Sequence, residues 1–207
     1  MARLLLLARR VELLTIGWNV FEALGAIVSG LLAGSVALIG FGFDSVIELI
    51  SGVVLLWRLA DGAEAERREQ IALKIVGVCF FVLAAYLAGD SIHRLLSHEA
   101  PEQTVFGIVV AASSLVAMPL LARAKRNVAR RLNSAAMHAD SRQTDFCGYL
   151  AAVTLGGLLL NSLLRWWWAD PAAALLMVPL IVREGWEALR GKTCCECVPC
   201  GTDIPSS

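Results

Sequence analysis

The sequence predicts an all-α, polytopic membrane protein, a bundle of six transmembrane helices. Three observations predict it. Hydrophobic residues make up 57% of the 207 residues against 17% charged, with a mean hydropathy of +0.67. The apolar residues fall into separate runs of roughly twenty, the length that crosses a ~30 Å hydrocarbon core at ~1.5 Å per helical residue. Lys and Arg gather in alternate connections, as the positive-inside rule requires of a chain that threads a membrane repeatedly. A soluble chain of this composition would have almost no polar shell. The formal net charge is zero and no basic patch is interleaved with aromatics, so no nucleic-acid partner is expected.

The expected helices run over about 11–33, 36–59, 71–96, 103–122, 133–163 and 167–189. Ahead of the first, the apolar stretch Leu4 to Ala8 is too short for a signal peptide and ends at Arg9-Arg10 without a small-residue cleavage site. Gly34-Ser35 is read as a tight turn, and Asp61 to Gln70 as a charged loop. Ser97 to Glu102, with Pro101, separates the third helix from the fourth. Arg123 to Arg131 reads as a basic linker. Arg165-Trp166-Trp167-Trp168 reads as an interfacial aromatic belt, and Asp170-Pro171 as the N-cap and first turn of helix six. Residues 1–192 thus form the membrane domain and 193–207 a short Cys-rich tail.

Fifteen of the eighteen Lys and Arg residues fall at the N-terminus, the 2–3 and 4–5 connections and the C-terminal end. Only Arg94 and Arg165 fall on the opposite side, and Arg142 lies within helix five. Both termini are therefore expected in the cytoplasm, flanking an integral domain of the lipid bilayer.

Helix two carries Asp44 and Glu48 inside a run that is otherwise apolar from Val36 to Trp57. Residues four apart are offset by about 40°, so the two carboxylates share one face. Ionised groups at that depth cost several kcal/mol unless paired, and they face a bundle interior or an aqueous path. A cation between them relieves both the burial and their mutual repulsion. On helix five, Asp140, Gln143, Cys147, Ala151, Thr154, Leu158 and Asn161 make a polar or small stripe. Gln143 and Cys147 repeat the four-residue spacing of the acids, so two helices can offer four ligands. Two carboxylates, an amide oxygen and a thiolate form a borderline-soft set suited to Zn²⁺, and also to Cd²⁺, Co²⁺ or Fe²⁺. The competing reading makes Gln143, Cys147 and Thr154 small interhelical contacts.

These residues carry a resemblance. Asp44-x-x-x-Glu48, then Ala139-Asp140-x-x-Gln143-x-x-x-Cys147, then Asp170-Pro171-Ala172-Ala173-Ala174 is similar to the pattern of the cation diffusion facilitators, over about residues 11–189. The resemblance implies six membrane helices, a homodimer, and export of a divalent metal from the cytoplasm across the cell membrane in exchange for protons. It implies Asp44 and Glu48 as metal ligands, with Gln143 where the family usually has His and Cys147 where it usually has Asp. A rival register takes Asp145 as the acid and Ser141 at the His position. The first is preferred, because Asp145 points about 140° from Asp140 and has Arg142 three residues before it for a local pair. Asp140, roughly 10 Å along the axis from Cys147, is expected to attract the ion and pass it on. The family's usual cytoplasmic domain after helix six is not expected in residues 193–207.

Cys194, Cys195, Cys197 and Cys200 place four thiols in seven positions, expected to handle soft metal in a reducing cytoplasm. Lipidation or a plain disordered tail are the alternatives. Glu22, with Asn19 a turn before it, is a candidate to support the site or carry a proton. Asp90 and His93 are read as outer-end contacts, Arg183 with Glu187 as a solvated pair, and Cys79 as packing. No phosphate-cradling Gly loop and no nucleophile–base set is present, so no enzyme activity, ATP drive or resident cofactor is expected. The rival to a transporter is a non-transporting metal sensor or partner subunit of the same fold.

Overall fold

The computed structural model describes residues 2–58, 65–99 and 101–190. They form six helices: α1 (Ala2–Ala33), α2 (Val36–Arg58), α3 (Ala65–Ser97), α4 (Val105–Leu132), α5 (Ala135–Leu164) and α6 (Ala169–Leu189). Five of them are long and apolar enough to cross a bilayer. The sixth, α6, carries Asp170, Arg183, Glu184 and Glu187 and is held in the bundle by Ala174, Met177 and Ile181, all fully buried.

The surface confirms the medium. Leu32, Leu24 and Val82 expose 79%, 64% and 65% of their area, whereas Glu12, Glu22 and Lys125 expose none. Apolar outside and polar inside is the arrangement of a membrane bundle, because lipid rewards the first and tolerates charge only in the second. Cys79 is on that exposed face and packs no core, contrary to expectation.

Helix α2 is central, packing against α1, α3, α5 and α6. Gly34 supplies the left-handed turn (φ +65°) between α1 and α2. The two backbones then run close together. A Cβ on Gly42 would sit 2.9 Å from the Ile27 nitrogen, and one on Gly30 would sit 2.9 Å from the Ile39 nitrogen. Small residues permit this approach where no hydrophobic force drives helices together. Gly77 and Gly185 do the same between α3 and α6.

Several helix ends differ from the sequence expectation. The run Arg123–Arg131 is helical, since α4 continues to Leu132 and stops only at Asn133, whose φ of 48° is left-handed. Lys and Arg are good helix formers, so leaving the membrane does not end the helix. Ser134 then caps α5 by accepting from the Met137 N–H. Likewise α1 and α3 begin earlier than expected, and α3 absorbs part of the charged connection. Helix α6 is capped at Trp168, with no side-chain cap. Asp170 therefore does not cap its own helix. Its carboxylate accepts from Ser35 Oγ (2.5 Å) and the Val36 N–H (2.9 Å) at the start of α2. At this end of the bundle Trp166 stacks on Trp168 and His98 lies against Trp167.

Candidate functional site

A column of buried polar groups runs through the bundle beside α2. From α1 come Glu12, Thr15, Asn19 and Glu22, at steps of three and four residues, each no more than 1% exposed. Asp44, Ser45 and Glu48 come from α2, Asp140, Ser141, Thr144 and Cys147 from α5, and Ser114 and Lys125 from α4.

At one level, Glu22 Oε1 accepts from Ser45 Oγ (2.9 Å) and Cys147 Sγ (3.4 Å), and Glu22 Oε2 accepts from Trp18 Nε1 (2.7 Å). Asp44 is 2% exposed, and its Oδ2 has no hydrogen-bond partner. One turn along α2, Glu48 Oε1 accepts from Thr144 Oγ1 (2.5 Å), while Oε2 is buried without a partner. Below it, the Lys125 ammonium stands 2.6 Å from Asp140 Oδ2, 3.4 Å from Glu12 Oε1 and 4.0 Å from Glu48 Oε1. Asn19 is buried with neither amide atom bonded.

The structure thus brings Asp44, Glu48, Cys147, Glu22 and Asp140 into one column. Gln143 is only half-buried, and the polar α5 side chain on Glu48 is its neighbour Thr144. Asp140, Thr144, Cys147 and Ala151, at steps of four, three and four, face inward. Asp145 pairs with Arg126 of α4, away from the column. Cys194, Cys195, Cys197 and Cys200 lie outside the described residues. Among the described residues, no three His, Cys, Asp or Glu side chains are already gathered as a metal-holding group. Glu22 and Glu48 each spend one oxygen or more on neighbouring hydroxyls, so gathering ligands around an ion requires side-chain rotation.

Two charged members of the column were not anticipated, Glu12 and Lys125. The signal for Glu12 was available: it extends the Asn19–Glu22 face by two turns. Lys125 was hidden by its basic neighbours. Its place on the buried face of α4, after Ser114, Met118 and Ala122, sets it apart from Arg123, Arg130 and Arg131.

A membrane bundle that spends so much burial on carboxylates along one internal column has the design of an ion-conducting carrier. Comparison with known proteins fits that class. The cation efflux transmembrane domain matches residues 13–192, and the chain belongs to this family of metal cation transporters. It is 29% identical to Transmembrane protein 163 of Xenopus laevis over 132 residues, covering 63% of this chain and 47% of that protein. It is 28% identical to an uncharacterized transporter of Synechocystis sp. over 155 residues, covering 70% and 49% respectively. The chain spans about half the length of these curated relatives.

Proposed function

We propose that this protein exports a divalent, zinc-like cation from the cytoplasm in exchange for protons, with both termini cytoplasmic in the cell membrane and two copies forming a dimer. The observation that carries the reading is the α2 pair: Asp44 Oδ2 and Glu48 Oε2 are buried one turn apart, each without a hydrogen-bond partner. Two such oxygens inside a transporter of cations are available to a cation and to little else. Cys147 supplies the soft ligand beside them, and its contact with Glu22 lets a third acid join the shell. Gln143 completes the set only by turning inward.

Proton exchange has a chemical basis in the same groups. Carboxylates and a thiol hold metal only when deprotonated, so protons and metal compete for one set of atoms. Asp140, on the Lys125 side of the column, serves the loading path rather than the ion's resting place. The four tail cysteines, Cys194, Cys195, Cys197 and Cys200, then act as a soft-metal collector.

The test is metal uptake into sealed vesicles containing only this protein. Inside-out vesicles should take up Zn²⁺ while their lumen alkalinises in step, as protons leave in exchange, and Asp44→Asn should abolish both signals. A folded protein that binds Zn²⁺ yet moves none is instead a sensor or partner subunit.

A further inference from the structure

We propose that Lys125 is a tethered counter-cation of the transport cycle, whose ammonium competes by charge with the metal for Glu48. This rests on the reading of Asp44 and Glu48 as the metal site.

The geometry carries it. The ammonium is fully buried and is enclosed by carboxylates from three other helices, Glu12 of α1, Glu48 of α2 and Asp140 of α5. One ammonium facing three acids is an excess of negative groups, and each acid retains an oxygen with no hydrogen bond: Glu12 Oε2, Glu48 Oε2 and Asp140 Oδ1. The cage is therefore made for more positive charge than Lys125 alone supplies. Lys is suited to share it, being a compact charge on a flexible four-carbon stem. Its closest contact is Asp140 and its longest is Glu48, so a small swing decides which acid it neutralises. A metal ion drawn to Glu48 repels the ammonium toward Asp140 and Glu12. When the ion leaves, the ammonium returns toward Glu48 and the empty site is not left as bare buried acids. The device weakens metal binding and hastens release. Its use is turnover, not affinity.

The experiment is Co²⁺ titration of the purified full-length protein, read by the visible bands of the bound ion, with Cys194, Cys195, Cys197 and Cys200 replaced by serine in every sample. Lys125→Gln should tighten Co²⁺ binding roughly tenfold or more, since a buried like charge a few ångströms away is removed. Lys125→Arg, which keeps the charge, should stay within about threefold of the parent. Asp44→Asn should lose binding, with or without Lys125→Gln. Should Lys125→Gln fail to fold, Asp140→Asn with Lys125→Gln is compared with Asp140→Asn alone, and loss of the ammonium in that background should again tighten Co²⁺ binding. Parental affinity in the Lys125→Gln protein, or a double variant no tighter than Asp140→Asn where that is used, overturns the proposal, as does an arginine variant equal to the glutamine one. If Asp44→Asn binds Co²⁺ normally, the α2 site itself falls. Tightening by Lys125→Gln in that background would show a cation site independent of it and also overturn the competition.

Discussion

Asp170 at the head of α6 caps α2: its carboxylate accepts from the Ser35 hydroxyl and from the Val36 N–H. Ser35 in turn accepts from the Leu38 N–H at 3.1 Å, so two side chains satisfy the first turn of the helix that bears Asp44 and Glu48. The pin is fully buried and links the first and last helices' ends through α2. It fixes the depth and rotation of the acid pair without touching it.

Asp170→Ala should therefore cost about 2–4 kcal/mol, from an anionic cap lost and two buried donors left unpaired. Thermal unfolding in detergent should show a lowered Tm, and Asp170→Asn, which keeps one acceptor, should lose less. An alanine variant as stable as the parent would mean that the cap does not hold α2.

Gly42 is a second support. A methyl group there meets the Ile27 nitrogen at 2.9 Å and Ile27 Cγ1 at 2.6 Å, and the backbone atom cannot move aside. Gly42→Ala should separate α1 from α2 at a cost of about 1–3 kcal/mol. Metal binding should weaken with it, because Glu22 and Ser45 face each other across the same seam. Gly156→Ala, with nothing within 4 Å of the added carbon, is the control and should be silent.

The helices and the acid pair were legible because a bilayer leaves few solutions: apolar runs must be helices, and an acid within one must face inward. Cys147 and Asp140 followed from a 3.6-residue period applied to α5. The period alone did not separate Gln143 from Thr144, since adjacent residues lie only 100° apart and a small rotation of α5 exchanges them. Lys125 was beyond a rule that counts positive charges by connection, because that rule treats every Lys near a helix end as solvated. Asp170-Pro171 has the local form of an N-cap, yet tertiary contact with α2 won the carboxylate. In each miss the residue type was informative and its partner lay on another helix.

The side of the membrane is checked by labelling. In a background without native cysteines, Ser97→Cys at the end of α3 and Arg131→Cys at the end of α4 are both at exposed positions. An impermeant thiol reagent added to intact cells should modify the first and spare the second. The reverse pattern would invert the proposed direction of transport along with the topology.

The last prediction separates the roles of the two inward α5 residues. Cys147 Sγ lies 3.4 Å from Glu22 and is fully buried, and Thr144 Oγ1 lies 2.5 Å from Glu48. Sulfur as a ligand favours soft ions, so Cys147→Ser should weaken Cd²⁺ transport far more than Mn²⁺ transport, by roughly tenfold or more in relative terms. Cys147→Asp should restore transport with a harder preference. Thr144 bonds the oxygen of Glu48 that the proposed metal does not use. Thr144→Val removes that donor, leaves Glu48 free to rotate, and should raise the metal concentration needed for half-maximal uptake without reordering the metals. Gln143→Ala, at a half-buried position, should do less than either. If Cys147→Ser is silent for every metal while Asp145→Asn is inactive, the α5 register with Asp145 as ligand replaces this one, and the Arg126 pair would have to open for it.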